Sequence, residues 1–155
     1  MRSELRFCAA ALSGWLALAG SPALVTAQSL AKTPPPAPSI QVKDAWIRWL
    51  PAGVPAGGYA TLINTGDKPV TLIGASSAVF AEAMIHRSIA RAGTMEMSPV
   101  ERITIDPHST LDFAASGYHL MLMQPSRSLV AGSYVPITLR FAGGGQLTVQ
   151  FEVRK

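Results

Sequence analysis

The chain has 155 residues, of which 48% are hydrophobic and 14% are charged, and its formal net charge is +4. This length and composition fit one globular domain with a substantial core, together with a segment that lies outside that core. The Lys and Arg residues are scattered and form no run that could follow a line of phosphates, so the composition argues against nucleic acid as a partner.

The first segment in chain order, residues 1–27, has the pattern of a secretory signal peptide. Two arginines precede an apolar run over residues 7–19, and the small-x-small pattern of residues 25–27 predicts cleavage near Ala27. The apolar run is too short for an ordinary membrane span, and no later stretch approaches about 20 apolar residues. We therefore expect an exported protein with no membrane span in its mature form; an uncleaved N-terminal anchor is the alternative.

Cys8 is the only cysteine of the chain, and it would leave with the signal peptide. The residues before it, Leu5-Arg6-Phe7, do not suit a lipoprotein cysteine. The mature domain is therefore predicted to contain no disulfide, no thiolate ligand and no cysteine nucleophile. Residues 28–39 read QSLAKTPPPAPS, and this density of proline predicts an extended linker. The folded domain is predicted to span residues 40–155.

The predicted domain consists of short alternating or β-branched segments separated by turn residues, which is the pattern of β-strands. The predicted strands cover residues 41–50, 58–64, 69–75, 81–88, 94–100, 102–105, 110–113, 118–123, 135–141 and 146–153. Residues 64–69 and 142–145 have the composition of hairpin connections. No segment has a sustained helical period, so about eight to ten strands predict an all-β fold, either a Greek-key β-sandwich or a small barrel.

Three of the predicted strands carry His or Met residues two positions apart, so these side chains share a face of their strand. The groups are Met84 with His86, Met95 with Met97, and His119 with Met121 and Met123. Thioether is a poor ligand for Mg²⁺, Ca²⁺ or Zn²⁺ and a good one for Cu(I), which imidazole also binds. Two His and two Met would form a four-ligand site without thiolates, which suits an oxidising compartment. A blue-copper centre is not expected, because it needs a cysteine ligand.

Each of these residues also has an explanation without a metal. A methionine on a strand is usually core filler, and a single histidine on a strand is usually a hydrogen-bonded packing residue. The residues that we expect to have structural roles, as core, supporting, rim or turn side chains, are Met84, Met95, Met123, His108, Trp46 and Tyr118.

The order and spacing of His86, Met97, His119 and Met121 match the motif H-x10-M-x21-H-x-M, and on these residues the chain resembles the periplasmic copper chaperones called PCu(A)C. The motif fixes four residue types at three spacings, so a chance match is rare. Further similar segments are DAWIR at 44–48, GYATLINTGD at 58–67, MEMSPV at 95–100, GYHLMLM at 117–123 and PITLRF at 136–141. Together they extend over essentially the whole predicted domain.

The resemblance implies a cupredoxin-like β-sandwich in the periplasm that binds one Cu(I) per chain and passes it to another protein. The implied ligands are His86, Met97, His119 and Met121. The implied recipient is a copper-accepting protein, either the cytochrome c oxidase subunit that carries the copper A centre or a Sco-type thiol protein. Some relatives carry a His- and Met-rich C-terminal tail that this chain lacks, so one site is expected, in a monomer.

Two other functions stay open on the sequence. One is an interaction module without a metal, in which the methionines belong to the core. The other is a copper or zinc enzyme, which would need a carboxylate base or a redox cofactor near the metal. The nearby acids Glu82, Glu96 and Asp112 do not form a recognisable pair, so a chaperone is expected rather than an enzyme.

Overall fold

A computed structural model describes residues 38–49 and 54–155 of the chain. The predicted signal peptide lies outside the described residues, as does the predicted linker except for Pro38 and Ser39. The strands of the described part are β1 (Ile40–Arg48), β2 (Ala56–Asn64), β3 (Val70–Ser76), β4 (Phe80–Arg91), β5 (Thr94–Pro99), β6 (Ile103–Ile105), β7 (Thr110–Phe113), β8 (Tyr118–Pro125), β9 (Tyr134–Phe141) and β10 (Gln146–Arg154). A single 3-10 turn at Ala142–Gly144 is their only helical segment. Within these residues no helix has the length and apolarity needed to cross a membrane.

The strands form one continuous hydrogen-bonded order, β5-β4-β8-β7-β2-β1-β10-β9-β3-β6, in which β8 also pairs with β2. The buried core joins Ile47 of β1, Leu72 of β3, Leu120 of β8 and Leu139 of β9, all with no solvent exposure. Because several of these strands are far apart in the order, the two halves of the sheet pack face to face. The result is an all-β sandwich, which is one of the two folds that the alternation predicted and the one that the resemblance implied.

The turns show where the predicted topology was right and where it was wrong. The hairpin predicted at residues 142–145 is confirmed, because this segment joins β9 to β10 and these strands pair antiparallel. The hairpin predicted at residues 64–69 is wrong: β2 pairs with β1, β7 and β8, whereas β3 pairs with β6 and β9. Residues 64–69 instead carry the chain from one group of paired strands to another.

The hairpin between β4 and β5 extends further than the sequence predicts. Its two-residue loop consists of Ala92 and Gly93, which both have positive φ (47° and 83°). Two consecutive residues of positive φ match the twist of the flanking strands, although Ala is an unusual residue there. Every residue of β5 is exposed, and β5 ends the strand order, so the outer edge of β5 faces solvent.

The side chain of Asn64 stabilises the segment between β2 and β3. Its side chain is fully buried, and its Nδ2 donates hydrogen bonds to the backbone carbonyls of Lys68 (2.8 Å), Ile105 (3.1 Å) and Asp106 (3.1 Å). Its Oδ1 accepts a hydrogen bond from the N–H of Gly66 at 3.0 Å. One amide therefore joins the connection after β2 to the backbone at the end of β6.

Replacing Asn64 with Ala removes these partners, and we expect the free energy of unfolding to fall by about 2–4 kcal/mol, because buried backbone groups lose their hydrogen bonds. Denaturant unfolding followed by tryptophan fluorescence measures the change. Thr65→Ala is the matched control: it removes an exposed hydrogen bond to the Ser39 carbonyl and should cost less than about 1 kcal/mol. Equal losses in the two variants would contradict the role given to Asn64.

Candidate metal centre

Two histidines face each other across the neighbouring strands β4 and β8. In the antiparallel register of these strands His86 lies directly opposite His119, and their ring centroids are 6.1 Å apart. A bond from a metal to an imidazole nitrogen is about 2 Å long, so two rings that share one ion have centroids up to roughly 6 Å apart. The observed spacing therefore suits two rings that bind the same ion after only a small movement.

Two methionines form the next row of the same strand pairing. Met84 lies directly opposite Met121, and both side chains are half-buried. Because side chains alternate along a strand, these methionines project from the same face of the sheet as the two histidines. The other face of the pair carries Ile85 opposite Leu120, which belong to the core. We call the four side chains His86, His119, Met84 and Met121 the β4–β8 block.

A cavity of about 250 Å³ adjoins the β4–β8 block. Three of the four predicted ligands, Met97 from β5 with His119 and Met121 from β8, line this cavity. Met97 lies opposite Ser88 in the β4–β5 pairing and is 58% exposed, whereas His119 is only 6% exposed. The candidate centre therefore has a buried side on β8 and an open side on the edge strand.

The cavity wall opposite Met97 comes from β2, where Gly57 allows a close approach. Gly57 pairs with Met121, and a Cβ atom on Gly57 would lie 2.5 Å from the Tyr59 Oη and 2.9 Å from its Cζ. The phenol ring of Tyr59 thus lies over the backbone of Gly57, beside the thioether of Met121. On its other side Tyr59 contacts Trp46, with ring centroids 4.7 Å apart.

The hydrogen bonds of the two histidines differ. The Nδ1 of His119 is 3.3 Å from the carbonyl oxygen of Gly117; a proton on Nδ1 would donate this bond and leave the other ring nitrogen free to bind a metal. Both ring nitrogens of His86 are buried and have no hydrogen-bond partner among the described residues. Buried polar atoms without a partner are rare, and a bound ion would satisfy one of them.

Burial, and to a smaller extent the positive charge that His119 can carry, lowers the pKa of His86 below its usual 6.5. A lowered pKa keeps the His86 ring neutral at neutral pH, which is the form that binds a metal.

The chemistry of the donor set favours a soft ion. Thioether sulfur binds Cu(I) well and hard divalent ions poorly, and imidazole is compatible with Cu(I). In the part of the chain that the structure describes, no group of three His, Cys, Asp or Glu side chains is placed to hold a metal. The side chains of His86, Met97, His119 and Met121 therefore fit Cu(I).

The structure brings the four predicted ligands together on three neighbouring strands. Met97, His119 and Met121 line one cavity, and His86 lies next to it, opposite His119. Metal binding by these four residues stays a prediction. The position of Met84 was not predicted: its shared face with His86 is visible in the sequence, but its pairing with Met121 depends on the register of two strands that are far apart in the chain.

The other residues with expected structural roles lie outside the block. His108 is exposed in a turn and its Nε2 is 2.9 Å from the Asp67 Oδ1, so the prediction of a solvated turn residue is confirmed. Met95 is exposed opposite Ala90, and Met123 lines a different cavity.

Trp46 and Tyr118, which were expected to be core or rim aromatics, are both half-buried, and Tyr118 packs against the core. Trp46 stacks on Tyr59, and the Arg87 guanidinium lies 5.2 Å from the ring centroid of Tyr118. No sequence pattern predicted that Gly57, Tyr59 and Arg48 would line the cavity. Alternation along β2 puts Gly57 and Tyr59 on the same sheet face, and Arg48 joins them because it pairs with Gly57.

The fold is a cupredoxin-like Greek-key β-sandwich that is similar to solved PCuAC domains. The copper-bound PCuAC domain from PmoF2 superposes with a TM-score of 0.63 at 27% identity, over 77% of this chain and 95% of that domain. The solution structure of apo-DR1885 from Deinococcus radiodurans superposes with a TM-score of 0.60 at 30% identity, over 92% of this chain and 97% of DR1885. The solution structure of CuI-DR1885 superposes with a TM-score of 0.56 at 29% identity, over 83% of this chain and 85% of DR1885. The predicted fold class is confirmed.

The chain belongs to the LpqE-like family, described as "Putative lipoprotein LpqE-like", whose sequence model matches residues 40–153. A similar relative is the "Putative lipoprotein Lxx21020" of Leifsonia xyli subsp. xyli (strain CTCB07). It is 30% identical over 119 residues, which make up 76% of this chain and 71% of the relative. The word lipoprotein in both names is typical of exported proteins. The predicted signal peptide and Cys8 lie outside the described residues, so the signal peptide stays a prediction.

The environment of His86 predicts its titration in the metal-free protein. We expect an NMR titration of the imidazole signals to give His86 a pKa below 6.5, and we expect His119→Gln to raise that pKa, because it removes a neighbouring positive charge. Between the lowered pKa and 6.5 the unfolded chain binds more protons than the folded one. The contribution of His86 to stability therefore declines as the pH falls through this interval. A pKa at or above 6.5 would contradict the burial of this ring.

Proposed function

We propose that this protein is a periplasmic copper chaperone that binds one Cu(I) per chain through His86, Met97, His119 and Met121 and delivers it to a partner protein. The proposed recipient takes part in assembly of the copper A centre of cytochrome c oxidase. It is either the oxidase subunit that carries this centre or a Sco-type protein. The proposed functional unit is a single chain without a catalytic step.

The observation that carries this proposal is the direct opposition of His86 and His119 beside a cavity lined by Met97 and Met121. The ring spacing of 6.1 Å suits a shared ion, and the buried ring nitrogens of His86 have no other partner in the described part of the chain. The thioethers select a soft ion from among those that imidazole accepts. The copper-bound state of the similar PmoF2 and DR1885 structures supports the choice of copper.

Delivery requires a site that retains the ion in water and still admits a ligand from another protein. Met97 meets the second need, because it is 58% exposed on an edge strand. His119 meets the first, because it is almost fully buried. We infer that the partner's ligand replaces Met97 first and the β8 ligands last. The ion then passes from chain to chain by successive exchange of single ligands and is never free in solution.

All four proposed ligands are neutral when the histidines are unprotonated, so the loaded site carries only the single charge of Cu(I). No electron is transferred when one neutral ligand replaces another. Thioether and imidazole ligands cannot form disulfides, whereas thiolate ligands could be oxidised to disulfides outside the cytoplasm. The donor set therefore suits transport of Cu(I) through an oxidising compartment.

A Cu(I) competition titration with a chromophoric chelator tests the proposal. We expect the wild type to bind one equivalent, and His119→Ala and Met121→Ala to weaken binding by at least about 100-fold, since each removes a ligand. His108→Ala is the matched control, because His108 lies in an exposed turn away from the four ligands, and it should bind as the wild type does.

The stability of Met121→Ala separates a ligand from a core residue. Met121 is half-buried on the outer face, so its replacement should cost less than the roughly 2–5 kcal/mol typical of a buried core methionine. A wild type that binds no Cu(I), combined with a large loss of stability in Met121→Ala, would contradict the proposal and favour the metal-free interaction module. Turnover between Cu(II) and Cu(I) with a substrate would favour an enzyme instead.

A further inference from the structure

Met84 lies in the block of side chains opposite the proposed ligand Met121. In the β4–β8 pairing the row of Met84 and Met121 follows directly on the row of His86 and His119. Directly opposite residues on antiparallel strands have Cβ atoms about 5 Å apart. The Cβ atoms of Met84 and Met121 are therefore about as close to each other as those of His86 and His119.

Core packing does not account for a methionine at this position. The core residue on this part of β4 is Ile85, which points to the opposite face of the sheet. Met84 belongs neither to the core cluster nor to the partly buried hydrophobic residues that pack against it. It is half-buried on the outer face, in the part of β4 that pairs with β8.

The proposed fourth ligand, Met97, is attached in a very different way. Its strand β5 is separated from β8 by β4, so its backbone lies at least two strand spacings, roughly 10 Å, from the β8 ligands. Met97 pairs with Ser88 and is the most exposed of the proposed ligands. The side chain that an incoming partner meets first is thus anchored furthest from the buried half of the site.

We propose that Met84 is a reserve ligand, which binds Cu(I) together with His86, His119 and Met121 when Met97 leaves the ion, before a partner's ligand has bound. This inference rests on the proposed chaperone function. One Cu–S bond forms as another breaks, both thioethers are neutral, and the ion stays Cu(I). The ion therefore keeps two nitrogen and two sulfur ligands from this chain until the partner supplies its own.

Leucine variants test the reserve role, because Leu replaces Met with little change of volume and should leave the fold intact. Met97→Leu should weaken Cu(I) binding by no more than about tenfold, and Met84→Leu should leave it nearly unchanged, because each thioether can replace the other. The double variant Met84→Leu/Met97→Leu should weaken binding by at least about 100-fold. Met95→Leu/Met97→Leu is the matched control and should behave as Met97→Leu does.

X-ray absorption at the copper edge supplies the second measurement, the number of sulfur ligands in each Cu(I)-loaded variant. We expect two sulfurs in the wild type, in Met84→Leu and in Met97→Leu, and one in the double variant. Thermal unfolding confirms that each variant is folded.

Three outcomes would overturn the proposal, and they are distinguishable. If Met97→Leu already has one sulfur and binds as weakly as the double variant, Met84 is not a ligand. If Met84→Leu alone drops to one sulfur, Met84 is a permanent ligand rather than a reserve. If the wild type binds no Cu(I), the chaperone function fails as well, whereas in the first two outcomes that function stands.

Discussion

The antiparallel register between β4 and β8 is the constraint on which the candidate metal centre depends. This register puts His86 opposite His119 on the outer face and Ile85 opposite Leu120 in the core. A shift of one residue in either strand would exchange its faces and bury polar rings in the core, so packing of the apolar face fixes the register. The ligands are therefore positioned by the core beneath them, before any metal is present.

The second feature of the centre is the difference in exposure between its two sides. His119 is almost fully buried, and its Nδ1 lies near the carbonyl of Gly117. Met97 comes from an edge strand in which every residue is exposed. A resident cofactor would be served best by a fully enclosed site, whereas a cargo ion needs one side that another protein can reach. The asymmetry of the site thus agrees with a transport role.

The strands could be predicted well because alternating apolar and polar residues mark a strand with one buried face. The sandwich buries one face of most of its strands. The identities of the proposed ligands followed from the resemblance to PCu(A)C proteins, which the spacing of two His and two Met carries. Strand register did not follow, because β4 and β8 are joined by a long segment and no local pattern says which residues pair. For that reason Met84 was assigned a structural role, although it lies opposite Met121.

Turn composition was a weaker guide. Residues 64–69 have turn residues whether the chain reverses or crosses to distant strands, and only the buried hydrogen bonds of Asn64 distinguish the two. At Ala92 the chain takes positive φ without the glycine or asparagine that would mark it. The wall formed by Tyr59 over Gly57 depends on which strand neighbours β8, which is again a tertiary property.

The most direct test of this account is a crystal structure of the Cu(I)-loaded protein with anomalous data collected at the copper edge. The account predicts one anomalous peak per chain, between the rings of His86 and His119 and within bonding distance of the Met121 sulfur. A peak elsewhere on the sandwich, or a loaded crystal in which the His86 ring nitrogens bind no copper, would contradict it.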